Sequence, residues 1–471
     1  MQVTLNRGFR LATGGQVSLL NAVPVSMRIY YFTGGGFRTC VRSSAAIGFL
    51  LAQRSTAFMV PGALADALIT ELKPVRPPPL DGRAGCETWS VQFSPDGRYF
   101  AWSLGHGIVK LLVWPLQDAE QNRSSELSTA PRNKERTLDC EHTVWSLAFG
   151  PRTSKAADHA KVEHESQAER EPALLLATGL KNGNIKIWEV VTGHLLFTLA
   201  GHQAVVRDMA FTPNGSLTLV SGSRDTTLRI WDLTKPGKKV HVLTGHTSWV
   251  YSCCVSPDCS MIASVCRDNP SVYLWSLHSY TFMKSLQAFG LFLVSCDFSP
   301  DGALLATAAF AAMWEIAIFD PYSGDRLITL RDCLFCDSEM MTTPIRAVCF
   351  STEGLHLAFV TEDRAIQIWE LGQDNPVMET DLLRFSNGLC CTFHPQGGVV
   401  ATGTRDGHVK FWRTPVLVPS LSHLSRVSLR YHMSTQQVMA LPIPNKIKDF
   451  LTYRNLQGGQ EARCAAHNTC D

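Results

Sequence analysis

The sequence predicts an all-β fold, a propeller of seven four-stranded blades, followed by a small α-helical module. Two recurring phrases and one change of pattern carry that prediction. The first phrase ends in tryptophan: Ile185-Lys186-Ile187-Trp188, Leu228-Arg229-Ile230-Trp231, Val272-Tyr273-Leu274-Trp275, Ile366-Gln367-Ile368-Trp369 and Val409-Lys410-Phe411-Trp412. A weaker copy ends at Trp114, and Phe319 stands where another tryptophan is due. From 188 onward the steps are 43, 44, 44, 50 and 43 residues, the period of about 40–45 residues expected for four-stranded blades. The step from 114 to 188 holds one period plus a polar insert. The second phrase is a turn: Ser94-Pro95-Asp96-Gly97 recurs as Thr212-Pro213-Asn214-Gly215, Ser256-Pro257-Asp258, Ser299-Pro300-Asp301-Gly302, Ser351-Thr352-Glu353-Gly354 and His394-Pro395-Gln396-Gly397. Proline presets φ and glycine accepts positive φ, which suits a tight turn between apolar strands. Helical periodicity is missing from 85 to 415 and begins only after that.

Composition narrows the function classes. The 471 residues are 45% hydrophobic and 18% charged, too apolar for wholesale disorder. With 43 basic and 41 acidic residues, the balance argues for neither nucleic acid nor membrane as partner. No stretch reaches the roughly 18–20 apolar residues that cross a bilayer; 47–53 is far too short. The 15 cysteines are odd in number and show no disulfide spacing, which fits reduced thiols in an intracellular, cytoplasmic or nuclear, setting. Cys253, Cys254, Cys349, Cys390 and Cys391 fall on predicted strands as core packing. Cys333 and Cys336 form a CxxC pair without a second pair at finger spacing, so it reads as a loop with two thiols. No metal or cofactor is implied.

Residues 1–65 contain no Asp or Glu and six arginines. Three readings fit: a disordered basic extension, a targeting segment, or translated sequence upstream of a working start near Met59. The run Leu68-Ile69-Thr70-Glu71-Leu72 then supplies the outer strand of the last blade and closes the ring, which removes an open sheet edge. Residues 117–140 and 152–171 are polar and aperiodic and read as solvent loops within blades one and two.

The phrases resemble WD40 repeats, and seven can be counted over 66–415. The third is the fullest. The resemblance implies a hydrogen-bonded set of His202, Ser221, Asp225 and Trp231 that ties strands within a blade, and His246 with Trp275 reads the same way in the fourth. Such residues are structural, because a buried polar group left unpaired costs about 1–3 kcal/mol. The fifth repeat departs: Ala288-Phe289 replaces Gly-His, Phe319 replaces tryptophan, and the turn aspartate is absent. It is expected to be degenerate, and no network residue is carried onto it. Arg207, Arg224, Trp249 and Arg405 lie at or near turns by repeat register. As arginines and a tryptophan, they are the candidate anchors for a protein target.

After Trp412, Pro415 and Pro419 break the last strand. Leu421, Leu424, Ser425, Ser428, Leu429 and His432 then fall on one helical face, with Ser420 as N-cap and Arg426 and Arg430 on the other side. Leu441-Pro442-Ile443-Pro444 follows as an extended stretch. Ile447, Phe450 and Leu451 form the face of a last short helix starting at Pro444 or Asn445. Some forty residues are too few for an independent core. They read either as a strap packed on the propeller or as a docking module that buries its apolar face on a partner. Residues 416–454 resemble a SOCS box, with 455–471 as a tail. That resemblance implies an elongin B/C-binding helix in which Leu421 leads and Leu429 is the later aliphatic residue, with Leu424 and Ser425 between them. It makes Leu441, Pro442, Ile443 and Pro444 the cullin-selecting motif. Ser425 stands where the family has cysteine, a change expected to weaken elongin binding by about 1 kcal/mol.

That order of modules is similar to the WD repeat and SOCS box-containing proteins over about 66–454. The resemblance implies a substrate-recognition adapter of a cullin–RING ubiquitin ligase: the propeller holds a target protein, and the SOCS box recruits elongin B/C and cullin-5 with its RING subunit. No P-loop, nucleophile elbow or HExxH motif argues for an enzyme. The alternative is a WD-repeat scaffold without a ligase role.

Overall fold

The computed structural model describes residues 67–74, 85–116, 135–153, 173–234, 240–288, 292–310, 314–331, 344–361, 366–373, 375–380, 388–415 and 419–456. The CxxC pair, the basic segment 1–65 and the tail 457–471 lie outside them. The described strands form seven four-stranded antiparallel sheets. Blade three shows the pattern, with Val206–Phe211 innermost, then Thr218–Ser223, Leu228–Asp232 and Val240–Leu243 outermost. Blades one, two, four, five and six take the same order over 91–139, 144–199, 250–287, 292–331 and 345–379. Blade seven differs. Its inner three strands are Gly388–Phe393, Val399–Thr404 and Val409–Arg413, but its outer strand is Leu68–Leu72. Leu72 pairs with Val409 and Leu68 with Trp412, so the start of the described chain closes the ring.

Apolar side chains fill the space between neighbouring sheets, as alternation along each strand requires. Between blades five and six, Leu304, Ile316 and Ile318 pack with Ile345, Leu357, Phe359 and Trp369. Within blades, tryptophan and hydroxyl groups meet. The Trp231 indole donates to Ser221 Oγ at 2.8 Å, His202 Nε2 lies 2.8 Å from the same hydroxyl, and His202 Nδ1 lies 2.7 Å from Asp225 Oδ2. One proton order satisfies all three: indole to hydroxyl, hydroxyl to a neutral imidazole, and imidazole Nδ1–H to carboxylate. Burial lowers the His202 pKa against the pull of Asp225. Burial works to raise the Asp225 carboxyl, but bonds from His202, Thr227 and the backbone outweigh it and hold it well below the usual range. Tryptophan bonds a threonine in the same way in blade two (Trp188 to Thr178) and blade seven (Trp412 to Thr402). In blade four, Ser264 bridges His246 and Trp275 at 2.7 and 2.8 Å, while His246 Nδ1 is buried without a partner. Blade five has its four strands, with Phe319 buried and the Thr307 hydroxyl turned to the Ala317 carbonyl.

In two places the polar stretches expected as loops hold strand residues. Arg136–Asp139 is the outer strand of blade one, and Arg152 and Thr153 end the inner strand of blade two. An outer strand needs only one inward side chain, and here only Leu138 is fully buried. The rest can be polar without leaving the sheet.

Two outcomes follow. Ser221→Ala leaves both the Trp231 N–H and His202 Nε2 without a partner, and urea unfolding should show a loss of about 1–3 kcal/mol. Burial holds His246 down to about 4, against about 6.5 in the unfolded chain. Below about pH 6.5 the unfolded state therefore takes up a proton that the folded state refuses, so stability is full above that pH and declines towards pH 4. Thermal midpoints measured from pH 7 to 5 should fall less steeply for His246→Asn than for the parent chain.

Candidate docking sites

Three short helices follow the last blade: α1 (Leu421–Arg430), α2 (Thr435–Ala440) and α3 (Asn445–Leu451). Ser420 caps α1 by accepting from the His423 N–H. Ser434 and Gln437 form a reciprocal capping box that starts α2. Leu441 and Pro444 bracket the extended stretch with ψ near 143°.

The ring takes the basic face of α1, not its leucine face. His423, Arg426 and Arg430 are buried. His423 Nε2 donates to the Glu353 carbonyl at 2.8 Å. The Arg426 guanidinium lies 3.8 Å from the Phe450 ring centre and 4.3 Å from that of Tyr453, a cation–π sandwich. The Tyr453 hydroxyl donates to Asp301 Oδ2 at 2.9 Å. Arg430 donates to Thr435, whose hydroxyl donates to Asp320 Oδ2 at 2.6 Å, and Arg454 pairs with Asp325. Tyr453 joins the apolar cluster between blades five and six, and Leu456 packs on it. Its φ of 61° is unfavourable for a non-glycine residue, and burial of the ring between two sheets offsets that cost. Asp301, Asp320, Asp325 and Glu353 all lie in or beside turns joining first to second or third to fourth strands. Strand alternation places those turns on one rim of the ring, the rim at which Val409–Arg413 ends.

Packing by the basic face leaves the leucines outside. Leu421 is 75% exposed, Leu424 51% and Leu429 45%, and Ser425 is exposed with its hydroxyl returned to the Leu421 carbonyl at 2.8 Å. Tyr431, Met439 and Ile447 are exposed as well. Pro442 and Pro444 are exposed, with Leu441 and Ile443 half-buried between them.

The target-binding candidates sit at the opposite rim. The inner strands of blades two to seven each carry a bulge near their start, where one residue has no partner in the register: Trp145, Arg207, Tyr251, Val294, Arg346 and Leu389. A bulge re-aims its side chain. Three of these residues assemble with neighbours from the adjoining turns. Trp89 and Trp145 stack at 4.1 Å. Arg207 lies 4.8 Å from the ring centres of both Trp145 and Tyr251. Arg224 lies between Trp145 at 4.9 Å and Trp249 at 4.7 Å, and Arg267 covers Trp249 at 5.2 Å. Arg405 is exposed in the equivalent turn of blade seven.

Comparison with known proteins agrees with both halves. The WD domain, G-beta repeat model matches 193–232, 237–276 and 386–413, and the SOCS box model matches 417–452. The mouse (Mus musculus) WD repeat and SOCS box-containing protein 1 is 45% identical over 80% of this chain and 93% of its own length. Its human (Homo sapiens) counterpart is 44% identical with the same coverage. The chain belongs to the WD repeat and SOCS box-containing protein family. The chicken (Gallus gallus) serine-threonine kinase receptor-associated protein, at 28% identity over 51% of the chain, shares only part of this length.

As a WD repeat and SOCS box-containing protein, the chain has the make-up of a substrate adapter rather than a catalytic subunit. Among the described residues no three His, Cys, Asp or Glu side chains gather as metal ligands, and no helix is long and apolar enough to cross a membrane. Ten described cysteines are free thiols, Cys349 and Cys391 among them with sulfurs 3.3 Å apart.

Sequence reasoning missed three parts of these sites. It left α2 unassigned, although Ser434-x-x-Gln437 is a capping-box signature. It left Arg426 and Arg430 on the helix face away from the leucines without finding their partners, because Tyr453, Asp301 and Asp320 are distant in sequence. It named Arg207 and Arg224 but not Trp89, Trp145 and Tyr251, the rings they stack on.

Replacing Arg426 by alanine removes the cation between Phe450 and Tyr453 and should loosen the module from the ring. Hydrogen exchange read by mass spectrometry should quicken in α1 and α3 while the strands of blades one to four keep their protection.

Proposed function

We propose that this chain is the substrate-recognition adapter of an elongin B/C–cullin–RING ubiquitin ligase. The observation that carries the reading is the outward leucine face of α1. A helix held on the ring by buried arginines, with Leu421, Leu424 and Leu429 in solvent, is arranged for a partner that buries those leucines. Burying a leucine fully is worth about 1.5–3 kcal/mol, so three together supply a large part of a stable interface. Elongin B/C takes that face, and the exposed prolines of Leu441-Pro442-Ile443-Pro444 select cullin-5 with its RING subunit. The propeller holds the target protein. Fixing target and ligase on one rigid body raises the effective concentration of target lysines near the charged ubiquitin carrier. The adapter carries out no bond chemistry, uses no cofactor, and acts inside the cell on targets sent for degradation.

The scaffold reading, in which the helices only brace the ring, is supported by the Tyr453 and Arg430 contacts. It leaves the leucine face without a role. Affinity capture separates the two. Leu421→Asp with Leu424→Asp should abolish recovery of elongin B/C and cullin-5, and Pro442→Ala with Pro444→Ala should reduce cullin-5 while elongin B/C stays. Recovery that no variant alters, or none from the parent chain, overturns the adapter reading.

Ser425 offers a graded test. Ser425→Cys replaces an exposed hydroxyl by a more apolar thiol, and the affinity for elongin B/C measured by calorimetry should rise about fivefold, the equivalent of about 1 kcal/mol.

A further inference from the structure

The rim opposite the SOCS box holds a cluster whose chemistry is incomplete. Its arginines are stacked, but stacking covers only the faces of a guanidinium. The in-plane N–H groups still need acceptors. Arg207 Nε and Arg224 Nε are buried without a hydrogen-bond partner, and so is Trp145 Nε1. All three unpaired groups are donors. Leaving a buried donor unpaired is costly, and placing two cations side by side adds to that. Burial, then the neighbouring Arg224, pushes Arg207 down to about 10.

The carboxylates nearby are engaged elsewhere. Asp208 accepts from the Ser252 hydroxyl and the Cys253 N–H of the next blade. Asp225 is held by His202 and Thr227. Glu141 pairs with Lys186, and Asp268 accepts from Ser248 and lies 3.4 Å from Arg267. Arg207 Nε and Arg224 Nε are thus left without an acceptor, while the outer edge of the cluster, formed by Trp249 and Arg267, is open to solvent.

We propose that this rim recognises an oxyanion-bearing segment of a protein partner, with carboxylate or phosphate oxygens accepting from the half-buried guanidinium groups of Arg207 and Arg224 and the chain passing over Trp249. The inference rests on the reading of the propeller as the target-holding part and names the class of target segment it takes. Charge-assisted, in-plane bonds to guanidinium are the strong ones. The stacked rings hold the arginines in place beforehand, so little side-chain freedom is lost on binding. Carboxylate and phosphate share this chemistry, and the probes below tell them apart.

The experiment uses the full chain and three degenerate peptide libraries of equal length, with central positions of glutamate, phosphoserine or glutamine. The glutamate or the phosphoserine library, or both, should be retained about tenfold over glutamine, with retention falling as salt rises. Whichever is retained identifies the anion. Arg224→Gln should erase that preference, and Arg224→Lys should restore only part of it. Should Arg224→Gln fail to fold, Trp249→Ala at the exposed edge should weaken the same preference. Elongin B/C capture by each variant should match the parent, so loss of anion preference and loss of the adapter role are read separately. Equal retention of the glutamine library overturns the proposal, as does full preference in both Arg224→Gln and Trp249→Ala. Tighter binding of a single-stranded oligonucleotide than of either anionic library also overturns it.

Discussion

The account turns on which face of α1 the ring holds. Arg426 and Arg430 are buried among Phe450, Tyr453, Tyr322 and Thr435, and the aspartates behind them, Asp301 and Asp320, belong to blade five. Buried guanidinium groups are costly unless their charge is compensated, and these rings and carboxylates supply that compensation although Arg426 Nε and Arg430 Nε and Nη1 keep no acceptor of their own. Rings supply area and attraction, and Asp301 and Asp320 supply charge through a tyrosine and a threonine. With those contacts made, α1 cannot roll its leucines inward without breaking them. The outward apolar face is thus a consequence of the inward basic one, and the usual assumption that a short helix buries its apolar side fails here.

Ring closure makes this arrangement durable. Leu68–Leu72 fills the outer place of blade seven, so no blade is left with a missing strand. The hydrogen bonds of Asp208 and Asp297 to the next blade tie inner strand to inner strand. Both carboxyls are raised by burial, Asp297 to about 7. The two rims are then fixed relative to each other. One carries the SOCS box and the other carries the stacked arginines and tryptophans. An adapter needs that separation, because target and ligase must be held at once without competing for surface.

Much of this was legible in the sequence. Spacing indicated the blades, and Leu68–Leu72 was readable as the closing strand because an open ring would leave a sheet edge exposed. The set around Ser221 was readable through the WD40 resemblance, which implies that these four residues bond to one another. The outer strand at Arg136–Asp139 was not, since an outer strand tolerates polar residues that look like loop. The partners of Arg426 were not, because a helical pattern shows which residues share a face but not which face is buried. The bulges that gather Trp145, Arg207 and Tyr251 were hidden for a related reason. An extra residue in a strand shifts register by one, and periodicity reads through it.

The most direct measurement is a side-chain-resolved structure of the full chain bound to elongin B/C. The account predicts Leu421, Leu424 and Leu429 under the partner while Arg426 stays between Phe450 and Tyr453 and Tyr453 stays on Asp301. A complex in which α1 has turned its leucines onto the ring, or in which the partner touches only the propeller, would contradict it.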